Sequence, residues 1–290
     1  MNIHPLAIVS PEAQIGRDVS IGPFSVIESD VVIGDRCSLA SHVVVKNGTR
    51  LGPDNEIYES AVLGGLPQHI HKPEHPGLLV LGSGNTIREQ VTLHRAMKEG
   101  SATVLGDSNY LMATAHVAHD CHLGDNIIMA NAVLLAGHVQ IADRAFLSGG
   151  VGVHQFCRVG RLAMIGGHAR IVQDVPPYVT VDSTGSSVVG LNLVGLRRSG
   201  HTTDEINQLK AAYRMIYRRG LRWSEMLDQL QATFTSGPAA LFNEFLRGGT
   251  RGFVQERRMP PGATIKLRPV AEETAPTETE TPAQRRARAG

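Results

Sequence analysis

The apolar positions of this chain follow neither the 3.6-residue period of a helix nor the two-residue alternation of an ordinary strand. From Ile3 to Ile171 every sixth residue is Ile, Leu, Val or Met, except at His69, His75 and Glu99. The run is unbroken through residues 105–159, with Leu105, Leu111, Val117, Leu123, Met129, Leu135, Ile141, Leu147, Val153 and Val159. A period of six is that of a hexapeptide parallel β-helix, in which short strands build flat faces and every third strand returns to the same face. One coil then takes about 18 residues, coils stack ~4.8 Å apart, and the repeat supplies about ten of them. The three exceptions mark two external loops, at 65–80 and 95–104, after which the phase resumes unchanged. A glycine often follows the aliphatic residue, as at Gly16, Gly22, Gly34, Gly124 and Gly160, and suits corners where a Cβ would clash.

The repeat closes at residues 173–178, where Pro176 and Pro177 cannot donate to a strand ladder. After a connector the period changes. Thr202 with Glu205 predicts a capping box, and Ile206, Leu209, Tyr213, Ile216 and Tyr217 mark one face of a helix stopping at Gly220. Further helices are predicted over 224–233 and 238–246, the last ended by Gly248 and Gly249. The organisation is therefore a β-helix over 1–178 and a connector with an α-helical C-terminal domain over 179–254. A disordered tail over 255–290, rich in Pro, Thr, Glu and Ala, completes the chain.

Composition narrows the picture in three ways. Only 4% of the 290 residues are aromatic while 31 are glycine, which fits thin coils with small interiors better than a thick two-layer core. The net charge of +1 offers no electrostatic argument for nucleic acid or a membrane surface. Cys37, Cys121 and Cys157 each fall four places after an aliphatic slot, where small residues recur, so they are expected as buried hydrophobes rather than metal ligands or disulfides. The first residues lack a basic segment leading into a long apolar run, and no 18-residue apolar stretch occurs. A soluble cytoplasmic protein without a transmembrane segment is expected.

Stacking turns the arithmetic of 18 into proximity. It places His119 beneath Gly137 and Gly137 beneath Gln155, with Asp120 beneath His138 and His154 one step away. A histidine beside a carboxylate, facing a backbone amide that no side chain covers, supplies the parts of an acyl transfer.

The strings AHVAHDCHLG (115–124), LLAGHV (134–139), VGVHQFCRVG (151–160) and QDVPPY (173–178), with the trailing helices, resemble the acyl-[acyl-carrier-protein]–UDP-N-acetylglucosamine O-acyltransferases of lipid A synthesis. The resemblance covers residues 3–254. It implies a left-handed parallel β-helix assembled as a homotrimer with sites between subunits, acting without metal or cofactor. It casts His119 as the general base toward the sugar 3-hydroxyl, Asp120 as its orienting carboxylate and the Gly137 amide as the oxyanion donor. It makes Gln68, His116, His138, His154 and Gln155 substrate-binding residues, Gly167 the small residue that leaves room for an acyl chain, and Asn192 and Arg198 contacts to the nucleotide. The partners implied are acyl carrier protein as donor and a UDP-amino sugar as acceptor. The basic cluster Arg197, Arg198, Arg214, Arg218, Arg219 and Arg222 suits docking of the acidic carrier.

Three departures from the family pattern fall in the sugar-nucleotide shell. Gln68 is followed by His69, Ile70 and His71 where an acid, an aliphatic residue and Lys are usual, Val194 replaces an acid, and Ser199 replaces an arginine. They leave open a related acyl- or acetyltransferase with another sugar nucleotide or an acyl-CoA donor. A zinc-dependent carbonic anhydrase of the same repeat would need two histidines five residues apart, and no pair here has that spacing. A scaffold without activity would not need the His119, Asp120 and Gly137 arrangement.

Overall fold

A computed structural model describes residues 2–257. Short strands, mostly of two residues, collect into three sheets of 11, 9 and 8 strands, and each parallel sheet takes every third strand in turn. The chain thus winds as a left-handed parallel β-helix with three faces. Register follows the 18-residue arithmetic: on the second face His116 pairs with Leu134, Leu134 with Gly152 and Gly152 with Arg170. The slot residues point inward and fill the core, with Ile87, Leu111, Val117, Met129 and Leu147 fully buried. The three cysteines are buried and free.

The corners divide their work between two positions. The residue three places after each slot adopts positive φ almost throughout, including Asp18, Phe24, Arg36, Asn126, Asp120 and His138. That conformation costs an L-residue roughly 1–2 kcal/mol, so the coil must repay it at every turn. It does so through the ladder: the corner amides of Arg36, Asn126 and His138 bond to the carbonyls of Arg17, Asp107 and His119 in the preceding coil. The glycines directly after the slots serve a different need. A Cβ on Gly22 or Gly34 would lie 2.7 or 2.6 Å from the backbone of the next coil.

Both external loops leave from one corner, between the second and third faces. Residues 66–77 separate the strands Val62–Gly65 and Leu78–Leu81, and residues 95–101 separate Thr92–His94 from Ala102–Leu105. Leu78–Leu81 and Ala102–Leu105 pair in register over all four residues, which is how the phase survives two insertions. The second loop is pinned by Arg95, a buried guanidinium that reaches back to the Asn47 carbonyl at 2.6 Å and its side-chain oxygen at 3.0 Å.

The coil continues past the two prolines. Val179–Val181 adds a parallel strand to the first sheet, and Val188–Leu191 caps it antiparallel. Four helices follow: α1 (Leu193–Arg198), α2 (Thr203–Arg218), α3 (Trp223–Thr233) and α4 (Ala240–Arg247). The Thr202–Glu205 capping box opens α2. α4 is fastened to the coil by Arg158, which pairs with buried Asp174 at 2.7 Å, donates to the Phe245 carbonyl and stacks over the Phe245 ring. The segment expected as a tail begins with residues that are held: Glu256 accepts from Tyr213 at 2.8 Å and pairs with Arg218. From residue 258 onward it lies outside the described residues.

A buried polar ladder runs inside one corner. Asn85 donates its side-chain amide to Asn55 Oδ1 at 3.0 Å, and its own Oδ1 accepts the Asn109 backbone N–H at 2.9 Å. Replacing Asn85 with Ala leaves the buried Asn109 N–H unpaired, at about 1–3 kcal/mol, and takes one of two donors from Asn55 Oδ1, which keeps the backbone N–H of residue 85 at 2.9 Å. Thermal unfolding of Asn85→Ala should show a marked loss of stability, and an unchanged midpoint would contradict the ladder's role.

Candidate active site

The corner that carries both loops also carries Ala118, His119, Asp120 and Cys121 one coil later, so the loops hang over this column. His119 is buried, and its Nδ1 lies 2.8 Å from Asp120 Oδ2. A carboxylate only accepts, so the shared proton belongs to Nδ1, and Nε2 is left with a free lone pair. The imidazole fills the space above it: a Cβ on Gly137 would stand 2.5 Å from His119 Cε1 and 2.8 Å from Nε2. Glycine is required at 137 because the ring is there.

The Gly137 amide is the second component. Outside the external loops, residues two places after a slot do not donate to the backbone ladder, and Pro11, Pro23 and Pro53 occupy that place elsewhere. Arg17, Asp107 and Asp125, at the same place, give their N–H groups to aspartates of a neighbouring coil. Gly137 N–H has no partner among the described residues. Gly137 and His119 together form part of the wall of a cleft of about 840 Å³ over the second face.

Asp120 is held where the second loop interrupts the column. The ladder carbonyl that its amide would meet has been displaced, and the amide bonds instead to the hydroxyl of buried Thr103 at 2.8 Å. The carboxylate accepts a further bond from the Met97 N–H of that loop at 3.1 Å. His138 stands 3.9 Å from the same oxygen and stacks flat on Phe156, with centroids 4.6 Å apart. Burial lowers the pKa of His138, and of His116, below the usual histidine value.

The structure sorts the candidate residues into three groups. Gln68, His116, His119, Gly137, His154 and Gln155 line the one cleft. Asp120 and His138 stand behind it and line an adjoining cavity. Gly167, Asn192 and Arg198 line neither. Asn192 caps α1, accepting from Gly195 N at 2.9 Å and donating to the Leu162 carbonyl at 2.9 Å; one N–H and one lone pair stay available to a ligand. Arg198 is exposed at the end of α1, next to Ser199 at its C-cap and four residues after exposed Val194.

Sequence reasoning missed several lining residues. Leu134, Gly152 and Arg170 share the His116 column, and steps of 18 from His116 reach all three. Thr92, which bonds His116 Nδ1 at 2.7 Å, lies 24 residues away because a loop intervenes. His69 leaves the first loop to meet the His119 ring edge-on, with centroids 5.8 Å apart. Nothing in the repeat signals that contact.

Comparison with known proteins places the chain. A family model described as UDP N-acetylglucosamine O-acyltransferase, domain 2, matches residues 174–254, and one for bacterial transferase hexapeptide repeats matches residues 12–47. The acyl-[acyl-carrier-protein]–UDP-N-acetylglucosamine O-acyltransferase of Halorhodospira halophila is 45% identical over 255 residues, which are 87% of this chain and 99% of that one. The solved UDP-N-acetylglucosamine acyltransferase of Francisella novicida superposes with a TM-score of 0.84 at 34% identity, over 92% of this chain and all of the other. That of Moraxella catarrhalis gives 0.85 at 36% identity, over 88% of this chain.

His94 makes a prediction for stability. Its buried ring packs edge-on against His116, centroids 5.0 Å apart, and desolvation pulls its pKa down to about 4. Above pH ~6.5 both folded and unfolded forms are neutral there. Between that pH and about 4 the unfolded chain takes up a proton that the folded chain refuses. Stability should therefore fall as pH drops through this window, by at most about 1.4 kcal/mol per unit from this group. Thermal unfolding across the window should show a shallower decline for His94→Gln than for the native chain, and equal slopes would contradict the assignment.

Proposed function

The chain belongs to the acyl-[acyl-carrier-protein]–UDP-N-acetylglucosamine O-acyltransferase family, and on that premise we propose that it moves a 3-hydroxyacyl chain from acyl carrier protein to the 3-hydroxyl of UDP-N-acetylglucosamine, the first step of lipid A synthesis. The observation that carries the mechanism is the His119 imidazole, bonded to Asp120 on one side and filling the space beneath Gly137 on the other. His119 Nε2 takes the proton of the sugar hydroxyl as that oxygen attacks the thioester carbon. Asp120 fixes the tautomer and stabilises the imidazolium that forms. The unpartnered Gly137 N–H donates a hydrogen bond to the developing oxyanion. Collapse of the tetrahedral intermediate breaks the carbon–sulfur bond, and His119 returns its proton to the carrier's thiolate. The steps balance without metal or organic cofactor.

Gln68, His116, His154 and Gln155 are the groups we assign to substrate in the cleft. His138 contributes by facing Asp120. Gly167, Asn192 and Arg198 lie away from the cleft of the same chain, which supports a homotrimer in which a neighbouring subunit supplies them to the acyl and nucleotide ends. Lys210, Arg214 and Arg218 gather around a shallow cavity beside α2 and suit the acidic carrier. Among the described residues no helix is long and apolar enough to cross a membrane.

A second reading, a different sugar nucleotide or an acyl-CoA donor with the same base, is favoured by one observation: His69, not the family's usual acid, meets the His119 ring. One set of transfer assays tests both. Hydroxyacyl-acyl carrier protein and hydroxyacyl-CoA are each offered with UDP-N-acetylglucosamine and its 3-amino analogue. Transfer from the carrier to the ordinary sugar is expected; preference for either substitute establishes the second reading. His119→Ala should cut turnover roughly 100- to 10,000-fold, with the trimer's mass in solution unchanged. Retained activity would overturn the mechanism.

A further inference from the structure

The carboxylate that orients the base is shared with a second imidazole. Asp120 Oδ2 lies 2.8 Å from His119 Nδ1 and 3.9 Å from His138 Nε2, and one ligand atom from each residue falls within 4.8 Å of the others. Tetrahedral zinc, with bonds of ~2.0–2.2 Å, sets neighbouring ligand atoms roughly 3.4 Å apart. The two measured separations straddle that value. His138 sits at a corner with its side chain 39% exposed, free to close the remaining distance. Entry is open from the far side of the column, where Asp120 and His138 line a cavity of about 410 Å³ together with His122 and Gln140.

A further imidazole stands beside His119, outside that group of three. His69 reaches the His119 ring from the first loop, and its Nδ1 lies 3.1 Å from the His71 N–H and 3.3 Å from the His71 carbonyl. Either tautomer is therefore satisfied. When Nδ1 donates to the carbonyl, Nε2 is free to coordinate, and an outer hydrogen bond of this kind commonly orients metal-ligating histidines.

We propose that His119, Asp120 and His138 form an inhibitory site for a divalent transition-metal cation such as zinc, with His69 of the loop as the fourth ligand. The consequence for catalysis rests on His119 being the base. A neutral imidazole carries one N–H. A metal on Nδ1 moves that proton to Nε2 through water, so the atom that must accept the sugar proton becomes a donor. Asp120 is drawn off the ring by the same ion, and His69 closes the loop across the cleft. Nothing is oxidised or reduced, and no other covalent bond changes. Imidazole-rich sites select zinc, cobalt or nickel, whereas magnesium and calcium take oxygen ligands, so those ions should leave the enzyme active.

The test uses the full-length protein freed of metal. Isothermal titration with zinc should give one ion per chain, activity should fall in step with occupancy, and a chelator should restore it. Cobalt in place of zinc should show the visible absorption of tetrahedral nitrogen-rich coordination. His138→Asn, which tolerates the positive φ at that corner, should weaken zinc binding by about tenfold or more, and His69→Gln should weaken it less. No binding, or binding lost in His71→Gln/His75→Gln and kept in His138→Asn, would overturn the proposal. The titration and the cobalt spectrum decide this whether or not the transfer assays succeed.

Discussion

The hydrogen-bond ladder between successive coils is the constraint on which everything else depends. Each coil offers its carbonyls to the amides of the coil below, as in Gly22 to Leu39 and Ala142 to Val159, and this fixes the step at 18 residues wherever no loop intervenes. The cost is a left-handed residue at nearly every corner, borne even by Phe24, Ala132 and Leu162. Positive φ at Asp120 and His138 is therefore a property of the repeat and no mark of strain reserved for catalysis.

The candidate site arises where that ladder is incomplete. Amides two places after a slot are spare over most of the coil. Some are absorbed by aspartates, as at Arg17, Asp107 and Asp125, some are replaced by proline, and others, such as Ser41, Ala113 and Asn131, have no protein partner among the described residues. At Gly137 the neighbour below is an imidazole, which occupies the Cβ space and leaves the amide unclaimed. The second loop breaks the column beneath Asp120, so its amide turns to Thr103 and its carboxylate gains a bond from Met97. An insertion that leaves the register untouched thus builds the socket for the orienting acid. The loops also bring His69 to the base, the contact on which both the question of acceptor and the proposed metal site turn.

Much of this was legible in the chain because the repeat converts sequence separation into distance. His119 under Gly137 and Asp120 under His138 follow from counting, as do the buried cysteines and the capping box of α2. Counting fails where loops intervene, so Thr92 against His116 and Thr103 against Asp120 were hidden. The glycines after the slots were identified with the right clash, but the positive φ of the corner lies two residues further on. α1 was missed because six residues between a capping Asn192 and Ser199 carry no clear period, and the docking of Glu256 on α2 depends on partners that only the fold brings together.

The central claim is that the His119 ring and the Gly137 amide act as one unit. The most direct measurement is kcat for Gly137→Ala, made alongside its thermal unfolding. The added methyl must displace the imidazole from a contact of 2.5 Å, at an otherwise well-supported corner of the coil. The account predicts a folded protein whose turnover falls by about 100-fold or more, the scale of losing a positioned base or an oxyanion donor. A folded variant with native turnover would contradict it.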